Sequence, residues 1–415
     1  MIDYFETKEH PITRKMILDA FKLVKSNKGA PGVDEQSIEI FDQDLLANIY
    51  KLWNRMTSGS YYPKPVKEVE IPKKSGGVRK LGVPTVEDRI AQQVVKTYLE
   101  PKVDPSFHKD SYGYRVGKNA HMAIHTAMNR CNRIGWVIDI DIRAFFDSID
   151  HELMMKGLQR YTTEKWVTMY IERWLKADVK KQDGQIEKRT KGTPQGGVIS
   201  GMLANMFLHF TFDKWMEKNY SNIRFERYSD DIVVHCISEK QAMFIKNQIA
   251  KRFKDCKLEM HEQKTKIVFC RNENHKGTEY PNVSFNFLGY TFMPRYCPTK
   301  NGLKLLTAAC MSKAAKNEVR DKIRKFSIRK FRGNIQQLSK AINIKLKGWM
   351  NFYCKFHKWT TVDVWYWLNK KLIEWTMCNK GIGKFKAIRW LEQVYKTQGY
   401  LFAHWELTPP VLGKK

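Results

Sequence analysis

Over the first two thirds of the chain, short apolar runs of strand length alternate with longer stretches of helical spacing. Val66, Val69 and Ile71 precede a Ser-Gly-Gly turn at residues 75–77, and a second apolar run follows at residues 78–83. Two such runs around a glycine turn predict a β-hairpin. β-Branched runs and apolar residues spaced by three or four predict the other elements. These are strands at residues 136–142 and 232–236 and helical segments at residues 88–99 and 151–175.

The last quarter of the chain has apolar residues at intervals of three or four, which is the spacing of a helix with one buried face. The pattern predicts three helices, the middle one long, each with a basic outer face. A cluster of turn-forming residues at 294–301 predicts a domain boundary. The apolar positions are Val319, Ile323 and Phe326, then Ile335, Leu338, Ile342, Leu346, Trp349 and Phe356, and then Val364, Leu368, Leu372 and Trp375.

Composition indicates a folded and strongly basic protein. Of the 415 residues, 42% are hydrophobic and 13% aromatic, while 73 Lys and Arg against 43 Asp and Glu leave a formal charge of +30. Residues 300–415 alone hold 25 Lys and Arg and 6 Asp and Glu. Such an excess is typical of proteins that bind a polyanion, so nucleic acid is the first partner to consider.

The sequence disfavours a membrane partner and a secreted location. No window approaches the roughly 18 to 20 apolar residues of a spanning helix, and the start of the chain is too polar for a signal peptide. The eight cysteines form no Cys-x-x-Cys pair, so neither a zinc site nor a disulfide framework is predicted. We therefore expect a cytoplasmic protein that does not bind a membrane.

The sharpest motif is Tyr228-Ser229-Asp230-Asp231, which lies between two strand-like runs. Burying both carboxylates inside a strand would leave unpaired charge in a low dielectric. The pair is therefore predicted at the tip of a hairpin, where a cation meets it.

A second acidic pair, Asp139 and Asp141, alternates with isoleucines along another predicted strand, which puts both carboxylates on one face. If this strand lies beside the 228–236 hairpin, three or four carboxylates converge. Hard oxygen ligands of this kind suit Mg²⁺ or Mn²⁺, and two such ions suit phosphoryl transfer. The structural alternative is that Asp139 pairs with an arginine and that the 230–231 pair is a polar turn. For either cluster alone, the two interpretations stand equal.

Taken together, the two clusters resemble the palm of reverse transcriptases, in which one aspartate lies on the first strand and a Tyr-x-Asp-Asp turn on the next hairpin. The resemblance implies an α+β fold of the right-hand polymerase type. Fingers and palm, with an antiparallel palm sheet plus helices, would be followed by an α-helical thumb. The neighbouring blocks that carry the resemblance are residues 71–74, 79–84 with Asp88 and Arg89, 111–115, 192–200, 261–266 and 287–290.

Within this family the chain is similar to the group II intron-encoded proteins, the maturases, with residues 27–34 and 347–353 as matching segments. No His-Asn-His endonuclease motif with paired cysteines follows the thumb, so target cleavage is not expected. The implied domains are an N-terminal extension at residues 1–64, fingers and palm at 65–298, a helical thumb at 299–380 and a basic tail at 381–415.

Carried over one position at a time, the resemblance makes Asp141, Asp230 and Asp231 catalytic residues and ligands of two Mg²⁺ ions, for which Mn²⁺ is a substitute. Asp139 is the second choice in its strand. The other implied residues are Lys73, Arg79, Phe146, Gln195, Gly196 and Lys264 at the nucleotide, and Lys347, Trp349 and Tyr353 at the nucleic acid.

Some of these residues also have a structural interpretation. Lys73 is compatible with a solvated hairpin face, Phe146 and Trp349 with the hydrophobic core, and residues 194–197 with an ordinary turn before a helix. Sequence spacing alone leaves both interpretations open at each position.

The implied activity is RNA-directed DNA synthesis from a DNA or RNA primer with deoxynucleoside triphosphates, together with binding of a structured intron RNA to assist its splicing. Three residues depart from the family pattern: Ser229 stands where alanine is usual, Gly201 where proline is usual, and Val116 where proline is common. Two other interpretations therefore stay open. One is a non-catalytic RNA-binding splicing cofactor, and the other is a relative co-opted for DNA repair or phage defence.

Overall fold

The computed structural model describes residues 9–72, 78–273, 275, 280–300 and 302–410. The chain divides into two compact units. The first comprises residues 1–123, 140–234 and 239–265, and the second comprises residues 124–139, 235–238 and 266–415. Asp141 and the 228–231 motif belong to the first unit, and the basic C-terminal segment belongs to the second.

Helices make up much of both units, and several begin at side chains that satisfy free backbone amides. The Thr13 hydroxyl accepts a hydrogen bond from the Met16 amide, and Asn334 with Gln337 forms a reciprocal capping box. The described helices are α1 (Arg14–Asn27), α2 (Ile38–Gln43), α3 (Leu45–Thr57), α4 (Val86–Val103), α5 (Ala120–Cys131), α6 (Phe145–Ser148), α7 (His151–Leu158), α8 (Lys165–Leu175), α9 (Ser200–Leu208), α10 (Lys214–Asn219), α11 (Glu239–Asp255), α12 (Lys313–Phe326), α13 (Ile335–Tyr353), α14 (Val362–Lys380) and α15 (Lys384–Thr397).

The described strands form three sheets, with the orders β2-β1-β4-β5, β6-β7-β3-β8 and β11-β10-β9. The strands are β1 (Val66–Pro72), β2 (Val78–Val83), β3 (Trp136–Ile140), β4 (Val179–Lys180), β5 (Ile186–Glu187), β6 (Arg224–Tyr228), β7 (Asp231–Cys236), β8 (Lys266–Phe269), β9 (Phe285–Phe287), β10 (Tyr290–Thr299) and β11 (Gly302–Met311).

The sheet β6-β7-β3-β8 confirms the predicted neighbours, since β3 lies directly beside β7. The isoleucines Ile138 and Ile140 are buried, as the alternation predicts. Strand β3 ends at Ile140, earlier than the predicted end at residue 142, so Asp141 lies just past the strand. The carboxylate of Asp141 is therefore outside the hydrogen-bonded strand and can approach the turn between β6 and β7.

The predicted hairpin at residues 66–83 is confirmed for its two strands. β1 and β2 pair antiparallel, with Lys67 opposite Val83 and Pro72 opposite Val78. The predicted turn at residues 75–77 and the candidate Lys73 lie outside the described residues.

The helical segment predicted at residues 151–175 is two helices, α7 and α8, rather than one. The Thr162 hydroxyl accepts a hydrogen bond from the Glu164 amide within the break. Local bonds of this kind compete with the helical ladder, and apolar spacing alone does not register them.

The C-terminal segment contains the three predicted helices as α12, α13 and α14, but α13 and α14 have equal lengths of 19 residues. A fourth helix, α15, lies in the segment for which a basic tail was predicted. Residues after α15 are anchored to α14, because the side-chain oxygen Oδ1 of Asn369 accepts hydrogen bonds from the His404 ring (2.8 Å) and the Trp405 indole (3.0 Å). The core of these helices includes Leu346, Trp365, Leu368, Leu372, Leu391 and Trp405.

The predicted α+β fold class is confirmed, with antiparallel strand pairs, helices in the first unit and a helical C-terminal region. Of the predicted boundary at residues 294–301, residues 294–299 lie in β10 and pair with β11, and the division into domains stays a prediction. In the described part of the chain, no helix has the length and apolar character needed to cross a bilayer.

Asp88, in α4, is a buried carboxylate whose side-chain hydrogen bonds come from neutral groups. The donors are the Tyr61 hydroxyl (2.9 Å), the Trp174 indole (2.7 Å) and the Gln92 amide (2.9 Å). Burial raises the pKa of Asp88 to about 6, although these hydrogen bonds oppose the rise. The side-chain oxygen Oε1 of Gln92 also accepts a hydrogen bond from the Ile199 amide, so this cluster supports the residues that lead into α9.

Asp88 should make the protein less stable as the pH rises from about 4 to 6. The folded state holds the proton of this carboxyl more tightly than the unfolded state, whose pKa is near 3.8. Stability is therefore lost between these two pKa values, where the unfolded chain releases its proton and the folded chain retains it, by about 3 kcal/mol if this group acts alone. Asp88→Asn removes the titration, so the free energy of unfolding of the variant should change less between pH 4 and pH 6 in urea titrations.

Asp19→Asn is the matched control, because Asp19 is an exposed carboxylate on α1. This variant should retain the wild-type pH dependence. Equal pH dependence in wild type and Asp88→Asn would contradict the assignment.

Candidate active site

The turn between β6 and β7 carries the acidic motif. Tyr228 ends β6, Asp231 begins β7, and Ser229 and Asp230 connect them. The prediction of a carboxylate pair at a hairpin tip is confirmed. Ser229 has φ 59°, in the left-handed region that residues other than glycine rarely adopt. Backbone of this kind persists where the surrounding structure holds it in place.

Asp141 is held by the segment that precedes β8. Its amide donates to the Thr265 hydroxyl (3.3 Å), and its carbonyl oxygen accepts from the His261 amide (2.8 Å). The Lys264 ammonium lies 3.8 Å from the Asp141 carboxylate, and both side chains are open to solvent. Two residues predicted for the site, Asp141 and Lys264, therefore lie together.

Asp230 and Asp231 are electrostatically crowded. The pKa of Asp231 is raised to about 7, first by removal of its carboxyl from bulk water and then by the charges of Asp230 and Asp141. Desolvation and then Asp141 raise the pKa of Asp230 as well, while Arg79 lowers the pKa of both groups. Asp231 nevertheless has surface accessible to solvent. The three predicted carboxylates thus interact across the site.

The chemistry of this donor set suits a divalent cation. Carboxylates supply hard oxygen ligands, and a bound cation would relieve their repulsion. Among the described residues, no group of three or more His, Cys, Asp or Glu side chains has the geometry to hold a metal ion as it stands. A divalent cation is therefore supported by the oxygen donors of the three carboxylates and by their combined negative charge. Asp139, the second choice, lies within β3 opposite Lys266.

A fully buried ion pair lies behind the acidic turn. The Arg227 guanidinium in β6 donates to both carboxylate oxygens of Asp213, at 2.8 and 2.7 Å, and neither side chain has exposed surface. Another guanidinium nitrogen donates to the Asn205 side chain (2.8 Å) and to the Ser229 carbonyl (3.2 Å). Arg227 therefore connects the strained residue of the turn to the interior.

Asp213 ends a π-helical turn, His209–Asp213, between α9 and α10. Such turns are rare and often occur at functional sites. The Arg252 guanidinium donates to the carbonyl oxygens of Phe210 and Thr211 within it. This satisfies acceptors that the widened turn leaves outside an α-helical ladder.

The block at residues 111–115 lies beside β6 and supports the turn from another side. The Tyr112 amide donates to the Arg227 carbonyl (2.8 Å). A Cβ at Gly113 would lie 2.5 Å from the Ser229 nitrogen, so the backbone approaches more closely than any other residue would allow. Sequence spacing identified this block but not its role as a support.

Phe146 lies in α6 and is partly exposed. Its ring contacts the Tyr114 ring edge to face, with 6.5 Å between centroids. The Phe146 carbonyl accepts from the Thr193 amide (2.7 Å), which brings the block at residues 192–200 beside it. Ala144, two residues earlier, has φ 44°, another left-handed residue near the site.

Gln195 and Gly196 contact the hairpin that contains Arg79. The Gln195 carbonyl accepts from the Gly82 amide (3.0 Å). Gly196 has φ 133°, and a Cβ there would lie 2.6 Å from the Gly82 carbonyl oxygen. Packing against β2 thus requires glycine at this position, whatever else the block binds.

The three residues predicted to bind nucleic acid lie on α13 in the second unit. Lys347 is exposed. Trp349 and Tyr353 are partly buried and pack against the hydrophobic core of the C-terminal helices. Their position agrees with the structural interpretation for Trp349, and their contacts with nucleic acid stay a prediction.

Comparison with known families identifies two regions of the chain. The profile described as reverse transcriptase (RNA-dependent DNA polymerase) matches residues 71–292, more than half of the chain. The chain belongs to the reverse transcriptase family. A second profile, the maturase-specific domain of group II introns, matches residues 316–395 of this reverse transcriptase. The resemblance drawn from the sequence is thereby confirmed for both regions.

This reverse transcriptase is 34% identical over 214 residues to protein YkfC of Escherichia coli, covering 49% of the chain and 55% of YkfC. It is 30% identical over 260 residues to the group II intron-encoded protein LtrA of Lactococcus lactis, covering 62% of the chain and 41% of LtrA. The chain thus spans about half the length of these relatives. A solved telomerase from Candida albicans, in complex with telomeric RNA, aligns with a TM-score of 0.46 and 11% identity, over 89% of this chain and 68% of that one.

Replacing Arg227 by Met should destabilise this reverse transcriptase by about 3 to 5 kcal/mol, because Asp213 becomes a buried, unpaired charge. Urea unfolding of wild type and variant measures the difference. The double variant Arg227→Met, Asp213→Leu should recover much of the loss, since both charges are removed together.

Arg55→Met is the matched control, because it breaks a partly exposed pair with Glu87. Its expected cost is less than about 1 kcal/mol. If the double variant were as unstable as Arg227→Met alone, the unpaired charge would not be the cause.

Proposed function

We propose that this protein is an RNA-directed DNA polymerase that extends a DNA or RNA primer on an RNA template with deoxynucleoside triphosphates. The observation that carries the proposal is the electrostatic convergence of Asp141, Asp230 and Asp231 at a rigid strand end and turn. Ionising such a group is costly unless a cation compensates the charge. Perturbed carboxylates of this kind, open to solvent, are typical of catalytic sites.

Asp141 and Asp230 would hold two Mg²⁺ ions, for which Mn²⁺ would substitute, and Asp231 would serve as a further ligand or supporting acid. When bound, the ions supply the Lewis acid chemistry of nucleotidyl transfer. The protein itself orients the carboxylates and holds them close together despite their repulsion. The Arg227 network behind the turn supports this role, because it restrains the Ser229 carbonyl.

The incoming nucleotide would lie among residues that surround this acidic centre. Arg79 supports this placement, because its charge acts on both Asp230 and Asp231 and it is exposed enough to contact a triphosphate. Phe146 would act as an aromatic gate against a ribose 2′-hydroxyl. The remaining residues proposed for nucleotide binding are Lys73, Gln195, Gly196 and Lys264.

We further propose that the basic C-terminal segment binds RNA, including a structured intron RNA whose splicing it assists. The maturase-specific profile and the similarity to LtrA, a group II intron-encoded protein, support this assignment. The exposed amine of Lys347 is suited to a phosphate contact. Trp349 and Tyr353 would contribute only their open edges, since the core covers the rest of each ring.

Asp230→Asn should lower DNA synthesis by at least about a hundredfold, because it removes one of the charges that would hold the ions. The measurement is primer extension on an RNA template with Mg²⁺ and deoxynucleotides. RNA affinity, measured by filter binding, should stay near the wild-type value, because the basic segment is untouched.

Asp19→Asn, which changes an exposed carboxylate on α1, is the control and should extend primers as wild type does. Wild-type rates in Asp230→Asn would overturn the polymerase assignment. A wild-type protein that promotes intron splicing but makes no DNA would instead support the RNA-binding cofactor.

Phe146→Val should raise the use of ribonucleotides relative to deoxynucleotides by about tenfold or more, since a smaller side chain leaves room for the 2′-hydroxyl. Primer extension with each nucleotide type measures the ratio. Phe244→Val is the control, because Phe244 is exposed on α11 and outside the proposed site. An unchanged ratio in Phe146→Val would refute its role as a gate.

A further inference from the structure

Tyr114 occupies an unusual position at the edge of the acidic site. Its backbone has φ 52°, in the left-handed region, and the residue is 58% exposed. A bulky residue rarely adopts this backbone conformation. An arrangement of this kind persists where neighbours fix it, and it occurs preferentially at functional sites.

Gly201 provides the surface on which the Tyr114 ring rests. A Cβ at residue 201 would lie 2.7 Å from Cγ of Tyr114 and 2.9 and 3.1 Å from its two Cδ atoms. These distances are shorter than normal carbon contacts, so the ring face packs directly on the glycine backbone. Gly201 is the second residue of α9, where alanine would favour the helix. The close packing of the Tyr114 ring therefore explains why residue 201 is glycine, whereas helix propensity would favour another residue.

The other sides of Tyr114 face residues of the proposed nucleotide site. Its ring lies edge to face against Phe146, at 6.5 Å and 87°. Partial removal of the phenol from water, followed by the charges of Asp230 and Tyr228, raises the pKa of Tyr114, while Arg79 lowers it. The Tyr114 side chain therefore lies close enough to Asp230 and Arg79 for their charges to act on it.

We propose that Tyr114 is a specificity-determining residue, whose ring forms one wall of the pocket for the sugar of the incoming nucleoside triphosphate, with Gly201 as its positioning residue. This inference rests on the proposed polymerase function. The ring would pack against the apolar face of a deoxyribose, and its edge contact would restrict movement of Phe146. Displacing or removing the ring would loosen Phe146 and admit a 2′-hydroxyl.

Steady-state primer extension, with a deoxynucleotide and with the matching ribonucleotide, tests the inference. Tyr114→Ala and Gly201→Ala should each raise KM for the deoxynucleotide about tenfold and reduce the preference for deoxynucleotides by a similar factor. In both variants kcat should fall less than KM rises. Tyr114→Phe retains the ring and should keep the wild-type preference. The double variant Tyr114→Ala, Gly201→Ala should be no worse than Tyr114→Ala, because the added methyl group has no ring to displace.

Asp19→Asn is the control, because Asp19 is an exposed carboxylate on α1, outside the proposed site. It should keep the wild-type KM and sugar preference. If wild type extends primers while Tyr114→Ala and Gly201→Ala keep both values, the inference is overturned and the polymerase stands. A fall in kcat alone overturns it too, since that marks a merely structural role. If wild type makes no DNA, the proposed function fails and the sugar pocket fails with it.

Discussion

Repulsion among three carboxylates is the interaction on which the site depends. The pKa of Asp231, raised to about 7 by desolvation and by Asp230 and Asp141, reflects a free-energy cost that the folded chain carries. The buried apolar residues of the sheet β6-β7-β3-β8 offset such a cost, and Ile138 and Val233 in this sheet are fully buried. The carboxylates are therefore held together by packing elsewhere, and a cation would lower the free energy of the arrangement.

The buried pair of Arg227 and Asp213 contributes geometry more than stability. Desolvation of two charges offsets much of their attraction, so a buried ion pair is a weak source of folding free energy. Its two parallel hydrogen bonds, however, fix the direction of the guanidinium. The remaining nitrogen can then restrain the Ser229 carbonyl, at a residue with φ 59°. An acidic turn that must resist its own repulsion needs a restraint of this kind from behind.

Features set by near neighbours in sequence were predictable, whereas features set by distant ones were not. The strands β1, β2 and β7 and the helices α12 to α14 follow from apolar spacing over a few residues. Within the break between α7 and α8, the Thr162 hydroxyl accepts a hydrogen bond from the Glu164 amide, which apolar spacing does not record. The position of Arg227, a charged residue in a strand beside the acidic motif, hinted at a role in the site. The position of Asp213 gave no such hint, because its partner Arg227 lies on another element.

Ser229 and Gly201, two of the departures from the family pattern, have separate physical explanations. Gly201 is matched by the Tyr114 ring, which leaves no room for a side chain there. The Ser229 hydroxyl is buried and makes no hydrogen bond of ordinary geometry to the described residues, but it lies near enough to Asp230 to lower the pKa of that carboxyl. Alanine could not do so. Serine at the turn thus favours the charged form of Asp230 against the repulsion of Asp141. Ser229 thus acts on Asp230 directly, whereas Gly201 acts on the position of the Tyr114 ring.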